Sequence, residues 1–170
     1  MLPLIEGLED KAFRIRGIGS IAITLCYVAA GRFDGMLSGR TTRTDAIGSL
    51  PVATEADLDY VQACGIQGFY PAMYTSHNMH FAAVAHLLQG RHAAARRYAE
   101  RLLTHVKPVA EQAADFESFL PTLEQVLVGF GKWEEILSLP QPEQKFKRHR
   151  AVWHYARGMA FAWMNKTELA

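Results

Sequence analysis

The chain has 170 residues, of which 49% are hydrophobic and 21% charged, and its formal net charge is +1 at pH 7. This length allows one domain, or one domain plus a fragment, and the composition is that of an ordinary globular protein. A nearly neutral chain gives no reason to expect a nucleic-acid or acidic-membrane partner. No apolar run is long enough for a membrane span, and Glu6 follows the N-terminus too soon for a signal peptide.

The two cysteines and the main basic run carry no chemical motif. Cys26 and Cys64 form neither a metal nor a redox pattern, and we expect buried free thiols in a reducing, cytoplasmic compartment. The run 145–150 (Lys-Phe-Lys-Arg-His-Arg) is local, and we interpret it as the solvated start of a helix.

The apolar stretch 19–30 predicts one N-terminal helix. Ser20 suits its start and Gly31 its end. The β-branched residues of this stretch also allow a buried strand, but its length favours a helix.

The same region (16–35, Arg-Gly-Ile-Gly-Ser-Ile-Ala-Ile-Thr-Leu-Cys-Tyr-Val-Ala-Ala-Gly-Arg-Phe-Asp-Gly) resembles the C-terminal part of inositol monophosphatase family enzymes. The resemblance implies that 1–37 is a fragment of that family with one helix. The family's metal-binding motifs are absent, Thr24 replaces the Asp of the family helix, and Ser38 replaces the substrate-contacting Glu. Two-metal phosphate hydrolysis needs several carboxylates, which Asp34 alone does not supply. A degenerate, inactive phosphatase fragment is therefore the alternative interpretation of the chain.

Residues 38–53 are rich in small, polar and turn-forming types, and this composition predicts a linker. Thr54, followed by acids, suits the N-cap of a first domain helix. This helix is expected to run to about Cys64 and to end at Gly65. The sequence 68–71 (Gly-Phe-Tyr-Pro) predicts a turn into the next element.

The stretch 75–103 predicts two helices joined by a turn at Gly90. In each arm, apolar residues recur at the spacing of one helix face. Gly90 suits the left-handed residue that ends a helix, so we predict a helical hairpin. Its predicted buried faces are Phe81, Val84, Ala85 and Leu88 in the first arm and Ala95, Tyr98, Ala99 and Leu102 in the second, and its predicted solvent face is Arg97, Glu100, Arg101 and Thr104.

Similar turns recur at Gly131 and Asn165. The distance from Gly90 to Gly131 is 41 residues and from Gly131 to Asn165 is 34, which bracket the period of tetratricopeptide repeats. The helix before the last turn is apolar nearly all round and is expected to be sandwiched between neighbours. In the helix before the turn at Gly131, the predicted apolar face is Leu123, Val126, Leu127 and Phe130. In the helix before the turn at Asn165, one predicted apolar face is Val152, Tyr155, Ala156, Met159 and Trp163, and the other is Trp153, Ala160, Phe161 and Met164.

Four motifs resemble those of a bacterial group of tetratricopeptide-repeat proteins. They are His-Asn-Met-His-Phe (77–81), Gly-Phe-Gly-Lys-Trp-Glu-Glu-Ile-Leu (129–137), and the segments 67–71 and 153–158. The resemblance covers 54–170. It implies an all-α fold of stacked antiparallel hairpins (an α-solenoid) behind an N-terminal helical segment, and a protein or peptide partner. Because the chain ends at Ala170, where the helix after the third turn should form, we expect a truncated or recombined repeat domain.

Several polar residues on the predicted inner helices could line a groove, although hydrogen bonding between stacked helices explains them equally well. The predicted groove residues are Tyr74, His77, Asn78, His80, His154, Tyr155 and Arg157. Three of them, His77, His80 and His154, also suggest a zinc site, but no His-Glu-x-x-His pattern supports it.

The remaining chemistry-bearing residues predict no further site. We assign His86, His92, His105 and His149 to the surface, and Trp133, Trp153 and Trp163 to the core. The sequence contains no complete catalytic motif, and it predicts a non-enzymatic scaffold without a cofactor or metal. Two hairpins and part of a third make a small solenoid, so self-association to cover its ends is left open.

Overall fold

A computed structural model describes residues 21–32, 43–165 and 168. The described residues are helical and contain no strand, which confirms the all-α class. The helices are α1 (Ile21–Ala29), α2 (Arg43–Cys64), α3 (Ser76–Leu88), α4 (His92–Ala110), α5 (Thr122–Gly129), α6 (Trp133–Ser138) and α7 (Lys147–Trp163). A π-helical turn (Pro71–Thr75) leads directly into α3, and a 3₁₀ helix (Ala114–Phe119) precedes α5.

Some predictions concern residues outside the described part of the chain. They include Ser20 as the helix start, Asp34 and Ser38 of the phosphatase-like pattern, and the first residues of the predicted linker. Of the segment after Asn165, only Glu168 is described. The helix predicted before Gly31 is present as α1, and it packs on α2.

The predicted linker and the predicted helix start at Thr54 are wrong, because 43–53 form the first half of α2. Pro51 lies inside this helix and has no N–H to donate to the carbonyl of Ile47. The side-chain amide of Gln89 donates to that carbonyl instead, at 2.6 Å. Thr54 is buried, and its hydroxyl bonds to the carbonyls of Leu50 and Asn78 at 2.8 and 3.1 Å. Tertiary hydrogen bonds therefore stabilise a segment whose composition predicts a linker.

Two of the predicted repeat turns close with the same bonds. Gly90 has φ +71°, and the N–H groups of Gly90 and Arg91 donate to the carbonyls of Leu87 and His86 at 3.0 and 2.9 Å. The turn at Gly131 (φ +64°) has the equivalent pair of bonds, at 3.0 and 2.9 Å. This is the helix-ending motif that favours glycine. The other predicted helix ends, Gly31, Gly65 and Asn165, also have positive φ.

The core lies between α3, α4, α5 and α7. All four residues predicted on the buried face of α4 are buried, as are Leu123, Val126 and Leu127 of α5. The face predicted for α3 is wrong at Phe81 and Leu88, which are exposed, whereas Ala85 is buried as predicted. Small residues instead form its buried side, because α2 and α4 both pack closely against α3. The buried residues of α3 are Ser76, Met79, Ala82, Ala83, Ala85 and His86.

The last helix is covered less completely than predicted. Trp153, Ala156 and Ala160 of α7 are buried against the rest of the domain, but Tyr155 is 58% and Trp163 67% exposed. Packing on α7 comes from α5, α6 and the 3₁₀ helix. The described residues therefore bury one side of α7 and leave part of the other in solvent.

Two predicted surface histidines are buried, and one predicted buried thiol is exposed. The ring of His86 stacks on Tyr98 with 5.5 Å between centroids. Nε2 of His149 lies 2.7 Å from a carboxylate oxygen of Glu124. Cys64 is exposed at the end of α2, and Cys26 is half-buried. Among the described helices, none has both the length and the apolar character required to cross a bilayer.

Candidate binding surface

Exposed aromatic rings follow one side of the π-helical turn and the first half of α3. Tyr70, Tyr74, His77 and Phe81 recur every three or four residues, the spacing that keeps side chains on one side of a helix. The ring centroids of Tyr70 and Tyr74 are 5.2 Å apart, and those of His77 and Phe81 are 4.4 Å apart. We call these four residues, together with Phe69 and Met73, the aromatic stripe.

Phe69 and Met73 widen the stripe where α2 ends and the turn begins. Phe69 is 69% exposed, and its ring meets the edge of Tyr74 at 6.4 Å between centroids. Tyr60, on the adjacent part of α2, is also exposed and is close enough to influence the pKa of Tyr70. A contiguous cluster of exposed apolar and aromatic side chains is typical of an interaction surface.

Asp57 of α2 fixes the position of the stripe. Its carboxylate accepts hydrogen bonds from the hydroxyl of Tyr70 at 2.8 Å, from Thr75 at 3.1 Å and from the amide of Asn78 at 3.2 Å. The hydrogen bond to Asp57, followed by desolvation, raises the pKa of Tyr70 above its ordinary value. One side chain therefore ties α2 to the residue before the π-helical turn, to the turn itself and to α3.

The π-helical turn has further local support. The hydroxyl of Ser76 donates to the carbonyl of Ala72 at 2.6 Å, and Nε2 of His105 from α4 lies 2.8 Å from the carbonyl of Pro71. Short π-helical segments occur frequently at functional sites. The turn directs Met73 and Tyr74 outward while Thr75 and Ser76 are buried below them.

Four of the seven predicted groove residues are in this region, but they face different neighbours. Tyr74 and His77 belong to the stripe, whereas Asn78 bonds to Asp57 beneath it. His80 points towards α5, where its Nδ1 lies 3.1 Å from the hydroxyl of Thr122. Burial, and then repulsion from His77, lowers the pKa of His80 below its usual value.

The other three predicted groove residues are on α7. Arg157 donates to the carbonyl of Leu137 in α6 at 2.8 Å, and its guanidinium lies 4.6 Å from the ring centroid of Trp153. His154 meets the same tryptophan edge-on, and Tyr155 is exposed. Among the described residues, no hydrogen bond, ion pair or ring contact joins these three to the α3 residues. A single groove containing all seven stays a prediction.

The predicted histidine cluster has little support as a metal centre. Within 21–32, 43–165 and 168, no group of three or more His, Cys, Asp or Glu side chains is arranged to hold a metal ion. One ring nitrogen of His80 faces Thr122, and His154 is on a different helix.

Two buried carboxylates were missed by sequence reasoning. Glu117 accepts hydrogen bonds from the backbone N–H groups of Arg148 and His149, at 2.6 and 3.2 Å, and so caps the start of α7. Glu124 pairs with His149, and its second oxygen is buried without a partner. The one available signal was that Glu124 interrupts an apolar run around 120–128. We conclude that Glu117, Glu124 and His149 hold the 3₁₀ helix, α5 and α7 together.

A groove of about 530 Å³ lies between α2, α3 and α4. Arg101 in its wall pairs with Glu55 at 2.8 Å, and Glu100 pairs with Arg96 at 2.7 Å. Burial and the hydrogen bond to Glu55 raise the pKa of Tyr98, which lies beside the groove, to about 12. Because most of its charges already have partners, the groove is a weaker candidate for recognition than the stripe.

Comparisons with protein families, curated proteins and solved structures found no match for this chain.

Proposed function

We propose that this chain is a non-enzymatic helical-repeat scaffold of the tetratricopeptide type, and that its aromatic stripe binds a protein or peptide partner. The observation that carries the proposal is the exposure of Phe69, Tyr70, Tyr74 and Phe81 along the π-helical turn and the first half of α3. Tyrosine is among the residues that contribute most binding energy at protein interfaces.

The pattern of packing supports the scaffold part of the proposal. α4 packs on α3 before it and α5 after it, and α7 packs on α5 and α6. In repeat proteins each unit contacts chiefly its neighbours along the chain. The turns at Gly90, Gly131 and Asn165, all with positive φ, mark the repeating unit in this proposal.

The rigidity of the stripe supports the binding part. Its rings lie on the π-helical turn or beside it, and the position of this turn is fixed by three hydrogen bonds to Asp57 and by the contact of His105 with Pro71. A surface that is ordered before binding loses little conformational freedom when the partner arrives. Tyrosine also combines a large contact area with few rotatable bonds.

The test is selection of peptides from a random displayed library on the purified full-length chain, followed by affinity measurement on two variants. Tyr74→Ala removes a ring that is 53% exposed, and Tyr155→Ala removes one that is 58% exposed on α7. We expect selected peptides to lose about tenfold or more in affinity with Tyr74→Ala, since truncation of an interface tyrosine commonly costs over 1 kcal/mol. They should bind Tyr155→Ala as they bind the unaltered chain.

Equal losses for both tyrosine variants would instead favour the single seven-residue groove. Selected peptides that bind both variants as well as the unaltered chain would overturn the stripe as the binding surface. Circular dichroism and urea unfolding of both variants would show that each remains folded.

A further inference from the structure

The charge of the region that carries the stripe is one-sided. From Thr44 to Gly90 the sequence contains no Lys or Arg but four acids, Asp45, Glu55, Asp57 and Asp59, so all 18 Lys and Arg residues lie elsewhere. This stretch forms nearly all of α2, the π-helical turn and α3. Among Lys, Arg, Asp and Glu, this stretch therefore contains only acids, although the whole chain is nearly neutral.

The acids of α2 differ in how far other groups in the fold compensate them. Glu55 pairs with Arg101 across the α2–α4 contact. Asp57 has three neutral hydrogen-bond donors, and Asp59 is exposed with no ion pair among the described residues. Three histidines belong to the stripe or contact it: His77 within it, His80, whose ring centroid lies 6.1 Å from that of Phe81, and His105, whose ring bonds to the carbonyl of Pro71.

Cations cover many of the aromatic rings elsewhere in the chain. Guanidinium or ammonium groups lie over Tyr27, Tyr98, Phe146, Trp153 and Phe161, at 4.6 to 6.0 Å from the ring centroids. Among the described residues, no Lys or Arg lies over Phe69, Tyr70, Tyr74 or Phe81. No Lys or Arg of the described residues therefore competes with an external cation for the exposed parts of these rings.

We infer, on the basis of the proposed function, that the partner of the stripe is a cationic polypeptide segment with Arg or Lys next to apolar residues. Its cationic groups would lie over Tyr70 and Tyr74, close to the carboxylate of Asp57, which bonds to Tyr70. Asp59, two residues further along α2, adds a second exposed negative charge at a greater distance. Its apolar side chains would pack on Phe69, Met73 and Phe81. The carboxylates and the aromatic rings both attract positive charge, so ion pairing and cation–π contact favour the same cationic ligand.

The inference is tested with three fluorescently labelled synthetic peptides of equal length, in which Leu alternates with Arg, Gln or Glu. We expect the Leu–Arg peptide to bind the full chain at least tenfold more tightly than the Leu–Gln peptide, and the Leu–Glu peptide to bind most weakly. Affinity for the Leu–Arg peptide should fall as salt is added, because the attracting charges are exposed.

Matched variants locate the site. Tyr74→Ala should weaken Leu–Arg binding about tenfold, whereas Tyr74→Phe, which keeps the ring face, should retain it. Asp59→Asn should weaken binding about threefold and reduce its salt dependence. The controls are Tyr155→Ala and Asp115→Asn, which remove an exposed tyrosine and an exposed aspartate from other surfaces and should change nothing.

Equal binding of the three peptides, or a Leu–Arg affinity that Tyr74→Ala leaves unchanged, would overturn the cationic partner. If the Leu–Arg peptide fails to bind while a library-selected peptide of other charge depends on Tyr74, only this inference falls and the proposed function stands. If no selected peptide depends on Tyr74, both fall. The basic run 145–150, at the start of α7, is a cationic segment that a second copy could offer to the stripe. A homodimer in light scattering that Tyr74→Ala and Lys147→Glu each dissociate would make a second copy the occupant and would overturn a separate partner.

Discussion

The side-chain amide of Gln89, just after the end of α3, donates a 2.6 Å hydrogen bond to the backbone carbonyl of Ile47 in α2. This carbonyl is four residues before Pro51 and would bond to an N–H at that position in an uninterrupted helix. The contact therefore repairs the hydrogen-bond ladder of α2 from a neighbouring helix. It explains how a proline is accommodated in a helix that carries the stripe's anchor, Asp57.

Gln89→Ala is expected to reduce the free energy of unfolding by about 1 kcal/mol, because the carbonyl of Ile47 loses its donor. In a Pro51→Ala background the same change should cost less, since the backbone then has an N–H at that position to donate to this carbonyl. Urea unfolding of the four proteins in this double-mutant cycle measures the difference. Equal costs in both backgrounds would show that Gln89 and Pro51 are not coupled.

Asp57→Asn is expected to lower the pKa of Tyr70 towards its ordinary value of 10.0, because the charged acceptor that raises it is removed. The protein should also lose about 1–3 kcal/mol of stability, since buried Thr75 loses part of its acceptor. Spectrophotometric titration of the tyrosines measures the first effect and urea unfolding the second. Asp59→Asn is the control, and it should leave both quantities almost unchanged.

Stability is expected to fall as the pH drops below about 6.5. Burial is the leading cause that lowers the folded-state pKa values of His80 and His86, so the unfolded chain takes up protons first. The stabilisation is fully present above pH 6.5 and is lost as the pH falls through the lowered folded values. Urea unfolding at a series of pH values measures the slope.

His86→Phe should flatten part of this slope, because phenylalanine can keep the stacking on Tyr98 but does not titrate. Tyr155→Phe, at an exposed position, is the control and should leave the slope unchanged. A slope between pH 6.5 and 5 that is the same in all three proteins would contradict the assignment to buried histidines.

Two glycine substitutions are expected to have opposite signs. Gly90→Ala should destabilise the protein by about 1 kcal/mol, because φ of +71° is unfavourable for a residue with Cβ, although no atom lies within 4 Å of the added carbon. Gly158→Ala should stabilise it by about 0.5–1 kcal/mol, because Gly158 is inside α7 with equally open space around it. Thermal unfolding of both variants tests the pair, and a stabilising Gly90→Ala would contradict the left-handed turn.

The buried pair of Glu124 and His149 should behave non-additively. His149→Leu alone is expected to cost about 3 kcal/mol, because it leaves a buried carboxylate without its partner. The double replacement with leucine should cost much less, since apolar side chains of similar volume need no partner. Urea unfolding of His149→Leu, Glu124→Leu and the double variant tests this coupling. If the two single losses of stability add up to the loss in the double variant, the two side chains do not stabilise each other.

The local features of this protein could be predicted from its amino-acid sequence. Gly90 and Gly131 identified their turns because a left-handed residue at a helix end is a local requirement that glycine meets best. The buried face of α4, from Ala95 to Leu102, also followed from spacing, since this helix has one apolar and one charged side.

Which faces of the remaining helices are covered depends on packing between helices and could not be predicted from the sequence. Phe81 has the spacing of a core residue but is exposed, because small residues on the other sides of α3 allow α2 and α4 to approach there. Residues 43–53 have the composition of a linker but form a helix, because Gln89 supplies the bond that Pro51 lacks. The stripe and its anchor Asp57 likewise depend on contacts between residues 13 to 21 positions apart. Such contacts leave no periodic signal, because they join side chains across helices rather than along one.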